Sequence, residues 1–344
     1  MAEISIQRFQ HLDDGAEAFL ALPRAVEGLT DGQAAAERAG TEALLDARNS
    51  YYQHSDAMNF VALRDGRPVG RITAFDNRRL TEDNKRYGLA GLFCCQDDVP
   101  AAQALGCHAA DWLAGQGATM LRGPMAGDIW HRWRFMTRGF DTEPFPGEPR
   151  NPEYYPALFG EMGFAPVRTY STKLVANIAA QYELLAKPLA FNTKRGVGFR
   201  NMDRGNWQDE LKTLYELCRH SFATNWGVTE TTEREFVSLY DRWLTRVGPE
   251  YIIFAVDDKG GVIGLGLALT RPADTINLKT IAVLPGQYGF HLGQAIAGEL
   301  YRRAIDAGMT KAQHCLMGPL TPAQRWDRGL GRVTREYTMY ERAI

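Results

Sequence analysis

Two stretches of the chain alternate apolar and polar residues about an Asp/Gly turn, FVALRDGRPVGRITAF (60–75) and FAVDDKGGVIGLGLAL (254–269), and each predicts a β-hairpin. Phe60 aligns with Phe254 and Gly70 with Gly264, with no gap between them. Behind each hairpin lies an apolar strand, YGLAGLFCC (87–95) and INLKTIAVL (276–284), and behind each strand a helix. Leu105, Ala109, Trp112 and Leu113 mark the apolar face of the first helix, which stops at Gly115 and Gly117. Leu292, Ile296 and Leu300 mark the second, which stops at Gly308. Each helix leads into a short strand. Each half then closes on a Gly followed by alternating residues that include Tyr, GFAPVRTY (163–170) and GRVTREYTMY (331–340). The pattern predicts one unit of strand, strand, strand, helix, strand, helix, strand, used twice.

The halves differ by GPMAGDIWHRWRFMTRGFDTEPFPGEPRNPEYY (123–155), which lies between the short strand and the last helix of the first half. Extra loop of this kind is where specificity tends to reside. Residues 176–188 read as a helical or extended connector and 194–206 as a polar, Gly-rich stretch, so the boundary falls near 180 and the lobes span 1–180 and 181–344. Hairpins ahead of each helix imply an α+β fold with a mixed, mostly antiparallel twisted sheet flanked by helices, not a strictly alternating one.

A length of 344 residues suits two domains, and 45% hydrophobic with 23% charged residues excludes disorder. The net charge of −2 supplies no basic field, so neither nucleic acid nor an anionic membrane is expected as a partner. No apolar run approaches the roughly 18 residues of a membrane span, and charges break the N-terminal segment, which predicts a cytoplasmic protein. Five cysteines, with Cys94 and Cys95 adjacent, read as reduced and mostly buried thiols. The seven histidines form no HxH or HExxH pair, and no metal is expected.

The segment IAVLPGQYGFHLGQAI (281–296) resembles the acyl-CoA motif of the GNAT acyltransferase superfamily: a strand ending in V-x-P, a turn and a Gly-containing helix start. Such a helix start suits pyrophosphate, because its first N–H groups are unbonded and face the positive end of the dipole. Of the pattern R/Q-x-x-G-x-G/A only Gly293 is met; Tyr288 and His291 stand at the other two positions, with Gln287 one place early and Gly289 beside it. The segment RHSFATNWGVTETTEREF (219–236) resembles the N-W-G stretch of two-lobed bacterial GNAT-like proteins. The first lobe matches that group at PVGRITAF (68–75), QDDVPAAQAL (96–105), RGPM (122–125), GFD (139–141) and NPEYYPALFGEMGF (151–164).

The resemblance implies two tandem GNAT-like folds and transfer of an acyl group to a small-molecule amine by direct attack on a thioester. The donor is acetyl-CoA or a longer acyl-CoA, or an acyl carrier protein. Its expected contacts are Ile281, Ala282, Val283, Gln287, Tyr288, Gly289, Phe290, His291, Leu292, Gly293 and Gln294. In the first lobe Asp97 and Asp98 would repel pyrophosphate, and Asp98 reads as a helix cap. That lobe is expected to hold a degenerate donor site and to complete the substrate cavity.

WHRWR (130–134) gathers two indoles, an imidazole and two guanidiniums. As a strand it would set Trp130, Arg132 and Arg134 on one face for an anionic group, with His131 and Trp133 on the other. The alternative is a surface ribbon with snorkelling arginines and aromatics packed beneath, but exposed indoles need a reason and favour the binding role. Expected acceptor contacts are Trp130, Arg132, Trp133, Arg134, Tyr154, Asn225 and Trp226. Expected proton-transfer residues are His131, Tyr155 and His220, and also Asp327, which stands four before Gly331 where the family often carries an acidic Tyr. The altered donor loop leaves a second function open, a catalytically inactive GNAT-like binder of a small ligand.

Overall fold

The computed structural model describes residues 3–12 and 15–344, with every side chain among them except that of Tyr288. The first lobe runs β1 (Ile4–Phe9), α1 (Ala16–Val26), α2 (Asp31–Leu45), β2 (Ser55–Arg64), β3 (Arg67–Asn77), β4 (Thr81–Glu82), β5 (Lys85–Cys95), α3 (Val99–Gly115), β6 (Met120–Gly123), β7 (Phe135–Arg138), α4 (Tyr155–Glu161) and β8 (Ala165–Val175). The second runs α5 (Ile178–Lys194), β9 (Gly198–Asn201), α6 (Trp207–Ser221), α7 (Glu233–Leu244), β10 (Ile252–Val256), β11 (Val262–Leu269), β12 (Thr275–Val283), α8 (Leu292–Asp306), β13 (Lys311–Met317) and β14 (Gly331–Ala343).

The sequence repeat has a local physical cause. Asp65 and Gly66 take φ of 50° and 74°, the backbone that turns β2 into β3 with the twist of the strands. The equivalent turn between β10 and β11 is longer and is held by Asp257, whose Oδ1 accepts from the amides of Lys259 at 3.0 Å and Gly261 at 2.7 Å. Gly70 and Gly264 allow a helix to settle on each hairpin. A Cβ at Gly70 would lie 3.0 Å from Leu105 of α3, and one at Gly264 would lie 2.7 Å from Ile296 of α8. Asp98 caps α3 by accepting from the Ala101 amide at 3.0 Å, and Arg64 pairs with the same carboxylate at 2.7 Å. Thr30 with Gln33, and Thr232 with Glu235, close capping boxes on α2 and α7.

The strands join in one sheet in the order β1-β2-β3-β5-β6-β14-β8-β13-β12-β11-β10-β9, with β4 beside β5 and β7 beside β14. The closing strands are exchanged. β14 of the second lobe lies between β6 and β8 of the first, and β8 of the first lies between β14 and β13 of the second. β8 and β14 run antiparallel to each other from Ala165↔Glu341 to Val175↔Gly331. One apolar core lies in the second lobe, and two flank the sheet of the first lobe, under α1 with α2 and under α3 with α4.

Three expectations change. Residues 130–134 are not a strand: the Asp128 carboxylate accepts from the amides of Trp130 at 2.8 Å and His131 at 3.2 Å, which turns the chain before β7. The last helix expected in the second half is a short 3-10 turn at Pro322–Arg325, set among Gly318, Gly329 and Gly331. Residue 180 lies inside α5, which packs along α8 where a Cβ at Gly298 would come 3.1 Å from the Leu185 carbonyl. Among the described residues no helix is long and apolar enough to cross a membrane.

Candidate active site

In the second lobe β12 and β13 pair in parallel only from Thr275↔Lys311 to Leu278↔His314. β13 is paired on its other edge with β8, from Ala312↔Val175 to His314↔Lys173 and, after an irregularity, at Met317↔Ser171; past Leu278 and His314 the strands β12 and β13 part. Against β11 the register of β12 slips at the same place, Thr280 facing Leu267 and Leu278 facing Ala268, so Lys279 is the extra residue of a bulge. The result is a V whose apex lies at Leu278 and His314. In the first lobe β5 and β6 pair from Tyr87↔Met120 to Leu89↔Arg122, but there the chain stays closed: the Met125 amide donates to the Ala90 carbonyl at 2.8 Å. A Cβ at Gly91 would come 2.4 Å from the Met125 carbonyl oxygen.

Beyond the V, a 3-10 turn at Pro285–Phe290 delivers the chain to α8. Its end is tied to α5, the Phe290 carbonyl accepting from Asn192 Nδ2 at 2.9 Å and the ring lying 3.7 Å beneath the Arg195 guanidinium. His291 takes a left-handed φ of 55°, a conformation that favours glycine. Gly293 has the Trp326 indole over it, a Cβ there lying 3.2 Å from the ring. A groove of about 360 Å³ opens at this helix start, lined among others by Lys187, His291, Gln294, Trp326 and Arg328. Among the described residues, the N-cap His291 gives no side-chain bond to the first N–H groups of α8.

The opposite face of the V is built by both lobes. His314 points towards α8, its Nε2 lying 2.8 Å from the Tyr301 hydroxyl, and burial pushes its pKa down to about 4. Cys315, the next residue, has Lys279, Glu148 and Arg335 as its charged neighbours, and burial pushes its thiol up to about 12. Glu148 comes from the first-lobe insert and is sealed between Arg335, at 3.0 Å, and the Tyr337 hydroxyl. Arg335 also donates to Gln313 Oε1 at 2.6 Å and Thr142 Oγ1 at 2.7 Å. Arg134 lies over the rings of Trp133, at 3.7 Å, and Tyr170, at 4.4 Å; its Nε is buried without a partner, and burial lowers its pKa to about 10. Lys279 is half-buried, and no side chain or backbone group bonds its ammonium among the described residues. Burial, and next the Arg134 charge, depress it to about 8.

No protein-family profile matches the chain. Among curated proteins it is 28% identical over 291 residues to the bacterial ceramide synthase of Caulobacter vibrioides, covering 84% of this chain and 73% of that protein. It is 27% identical over 214 residues to protein YghO of Escherichia coli, covering 62% of this chain and 55% of that protein, so the match spans little more than half of that relative. Among solved structures, a tandem GNAT protein from the clavulanic acid biosynthesis pathway superposes with a TM-score of 0.55 at 14% identity, over 99% of this chain and 98% of that one. A probable N-acyltransferase of Enterococcus faecalis superposes with a TM-score of 0.61 at 12% identity, over 100% of this chain and 73% of that one. The chain has the tandem GNAT fold.

Within this GNAT fold the residues singled out in the sequence separate into groups. Ile281, Ala282 and Val283 form the arm of the V that β13 leaves and β11 still pairs, and Gln287, Gly289, Phe290, His291, Leu292, Gly293 and Gln294 follow it into α8; the Tyr288 side chain lies outside the described ones. Trp133 and Arg134 stand at the cluster on the opposite face. Trp130 reaches into the second lobe, 5.5 Å from the ring of Phe236 and 6.2 Å from that of Phe222. His131 is held by Asp128, Nδ1 to Oδ1 at 2.7 Å; burial is the largest influence and would depress its pKa, but the charge and hydrogen bond of Asp128 with the Glu235 charge together raise it.

The others are bonded to neighbouring groups or exposed. Arg132 pairs with Glu37, which also binds Arg71 at 2.7 Å. The Tyr155 hydroxyl donates to Glu27 at 3.1 Å in the first-lobe core, and that of Tyr154 donates to the Cys95 carbonyl at 2.9 Å. His220 sits half exposed at the end of α6, bonded only to its own helix through Glu216 and Arg219. Trp226 lies 4.0 Å from Arg122, whose guanidinium also bonds Glu82 and Glu341, while the neighbouring Asn225 is exposed. Asp327 is buried against Lys173 at 2.9 Å. Of these seven, Arg132, Tyr154, Tyr155, Trp226 and Asp327 are engaged by the surrounding framework, while His220 and Asn225 face solvent.

Lys279, Glu148, Cys315 and Arg335 were not singled out. For Lys279 a signal existed, since it is the one charged residue in INLKTIAVL. For Glu148 and Arg335 there was none, because they meet only through the exchange of β14.

Proposed function

We propose that the protein moves an acyl group from an acyl thioester of coenzyme A, or of an acyl carrier protein, to a primary amine, and that it does so in the second lobe. The observation that carries this reading is the contrast between the lobes: the V between β12 and β13 is open, and its counterpart between β5 and β6 is closed by Met125. Past Leu278 β12 keeps β11 on one edge, and its other edge, left by β13, offers backbone groups to the thioester carbonyl and to the amides of the pantetheine arm. The start of α8, with Lys187, His291 and Arg328 around its groove, suits the phosphates. In the first lobe the helix start is filled by the Asp98 carboxylate, which supports a role in completing the cavity.

The acceptor enters from the face that holds the first-lobe insert. A ceramide is by definition an N-acylated long-chain amino alcohol, and the relative named as a ceramide synthase supports an acceptor of that class here. The aromatic wall of Trp130, Phe222, Phe236 and Tyr240 suits its hydrocarbon. An inactive ligand binder has no feature of the site in its favour.

The test is incubation of the purified full chain with acetyl-CoA or palmitoyl-CoA and a panel of primary amines that includes sphinganine, following thiol release and amide mass. Amide forms in the parent. Gly293→Trp, whose side chain would displace the Trp326 indole into the groove, loses both acyl-CoA binding by calorimetry and product. Absence of amide with every donor, an acylated carrier protein included, overturns the reading.

A further inference from the structure

Lys279 has three properties that rarely coincide. It is the residue by which β12 bulges at the apex of the V, so its side chain leaves the strand where the thioester carbonyl of the reading above would lie. It is half-buried, and no neighbour among the described residues bonds it. The charged and titratable groups facing it are Arg134 and Glu148 from the insert and Cys315 from β13, with Arg335 and Tyr337 of β14 behind Glu148. A buried lysine beside the Arg134 guanidinium, with no carboxylate bonded to it, has no structural task that a methionine would not perform better.

The other groups around the V are less suited to carrying a proton to and fro. Glu148 is committed through Oε1 to Arg335 and Tyr337, while its Oε2 is buried without a partner among the described residues and burial raises its pKa. Asp327 is engaged by Lys173, on the segment where a tyrosine acid was expected. His314 lies on the α8 face and is kept neutral by burial. Cys315 is kept as a thiol, and a guanidinium does not release its proton.

We propose that Lys279 is both the base and the acid of acyl transfer: its neutral Nζ takes the proton of the acceptor amine and later gives it to the departing sulfur. The amine nitrogen bonds the carbonyl carbon, the C=O electron pair moves to oxygen, and the amine proton passes to Nζ. The oxygen pair then returns, the C–S bond breaks with its electrons on sulfur, and the Lys279 ammonium protonates that thiolate. Amide and free thiol leave, and the lysine is again neutral. Its depressed pKa, set by burial and Arg134, keeps a fraction neutral near physiological pH, where an ordinary lysine is almost fully charged. This inference rests on the acyl-transfer reading.

The test compares the parent with Lys279→Met and Lys279→Arg in the full chain. Acyl-CoA affinity by calorimetry is expected to stay within about twofold of the parent, while kcat falls roughly 10²- to 10⁴-fold in both variants. In the parent, kcat/KM rises with pH along a limb near pH 8, and that limb is absent from the residual activity of either variant. Lys279→Arg separates charge from proton transfer, since it keeps the cation and cannot act as a base. A parent that forms no amide overturns the acyl-transfer reading itself. An active parent whose variants keep both kcat and the limb overturns the role of Lys279 alone.

Discussion

Tyr170 and Tyr337, which close the two halves of the sequence repeat, are partners across the β8–β14 ladder. Each belongs to a strand enclosed by strands of the other lobe, and the ring of Tyr170 is the one over which Arg134 lies. The candidate site therefore depends on the exchange: Glu148 from the first lobe meets Arg335 from the second only because β14 is inserted between β6 and β8.

The exchange predicts that neither lobe folds alone. A chain of 178–344 leaves β13 without β8, and leaves β14 without either neighbour, two open edges prone to association. Expressed separately, each lobe is expected to aggregate or to lack a cooperative melt. Coexpression of 1–177 with 178–344 is expected to give a soluble one-to-one complex, measured by light scattering and thermal denaturation.

Arg122 predicts a large loss of stability. Its guanidinium is buried, bonds Glu82 and Glu341 at 2.7 Å each, and lies between the rings of Tyr87 at 4.1 Å and Trp226 at 4.0 Å. Arg122→Met leaves two carboxylates unpaired and frees the N-W-G segment, whose Gly227 amide also donates to Glu82 at 3.0 Å. A loss on the order of 3 to 5 kcal/mol is expected in urea unfolding followed by tryptophan fluorescence.

Lys279 predicts a pH-dependent gain. Its folded pKa of about 8 lies below the ordinary lysine value of 10.5, so the fold disfavours its charged form. The penalty is complete below pH 8 and fades as pH rises towards the unfolded value, where both states lose the proton. Lys279→Met is expected to be more stable than the parent at pH 7, by on the order of 2 kcal/mol, and to lose that advantage between pH 8 and 10.5. Paired denaturant titrations across this range check it, and equal stabilities throughout would count against the depressed lysine.

His291 predicts a smaller gain. Its left-handed backbone at the start of α8 costs a residue with a Cβ about 1 to 2 kcal/mol, and glycine is relieved of most of that. His291→Gly is expected to raise the thermal midpoint, and His291→Ala is not.

Much of the fold was legible along the chain. Gly70 and Gly264, placed identically in two hairpins, mark the contact that seats a helix on each, and this is a local requirement that the sequence must meet twice. The Asp98 cap and the glycine-bearing start of α8 were legible for the same reason, since caps and turns are settled within a few residues. The turn at Trp130 was misread as a strand because Asp128, two residues earlier, bonds the amides that a strand would have offered to a neighbour.

What the sequence by itself determined is thus the double unit, the order of its elements and the asymmetry between an acidic and a glycine-bearing helix start. What only the tertiary structure decided is which strands the two closing segments join, and with that the company of Lys279: Arg134 and Glu148 from one lobe and Cys315 from the other. Hydrophobic alternation states that a strand has a buried face, but the hydrogen bonds along its edges are alike for every partner. Pairing between distant segments is decided by the packing of the whole sheet, and the burial that depresses a lysine exists only once that sheet has closed around it.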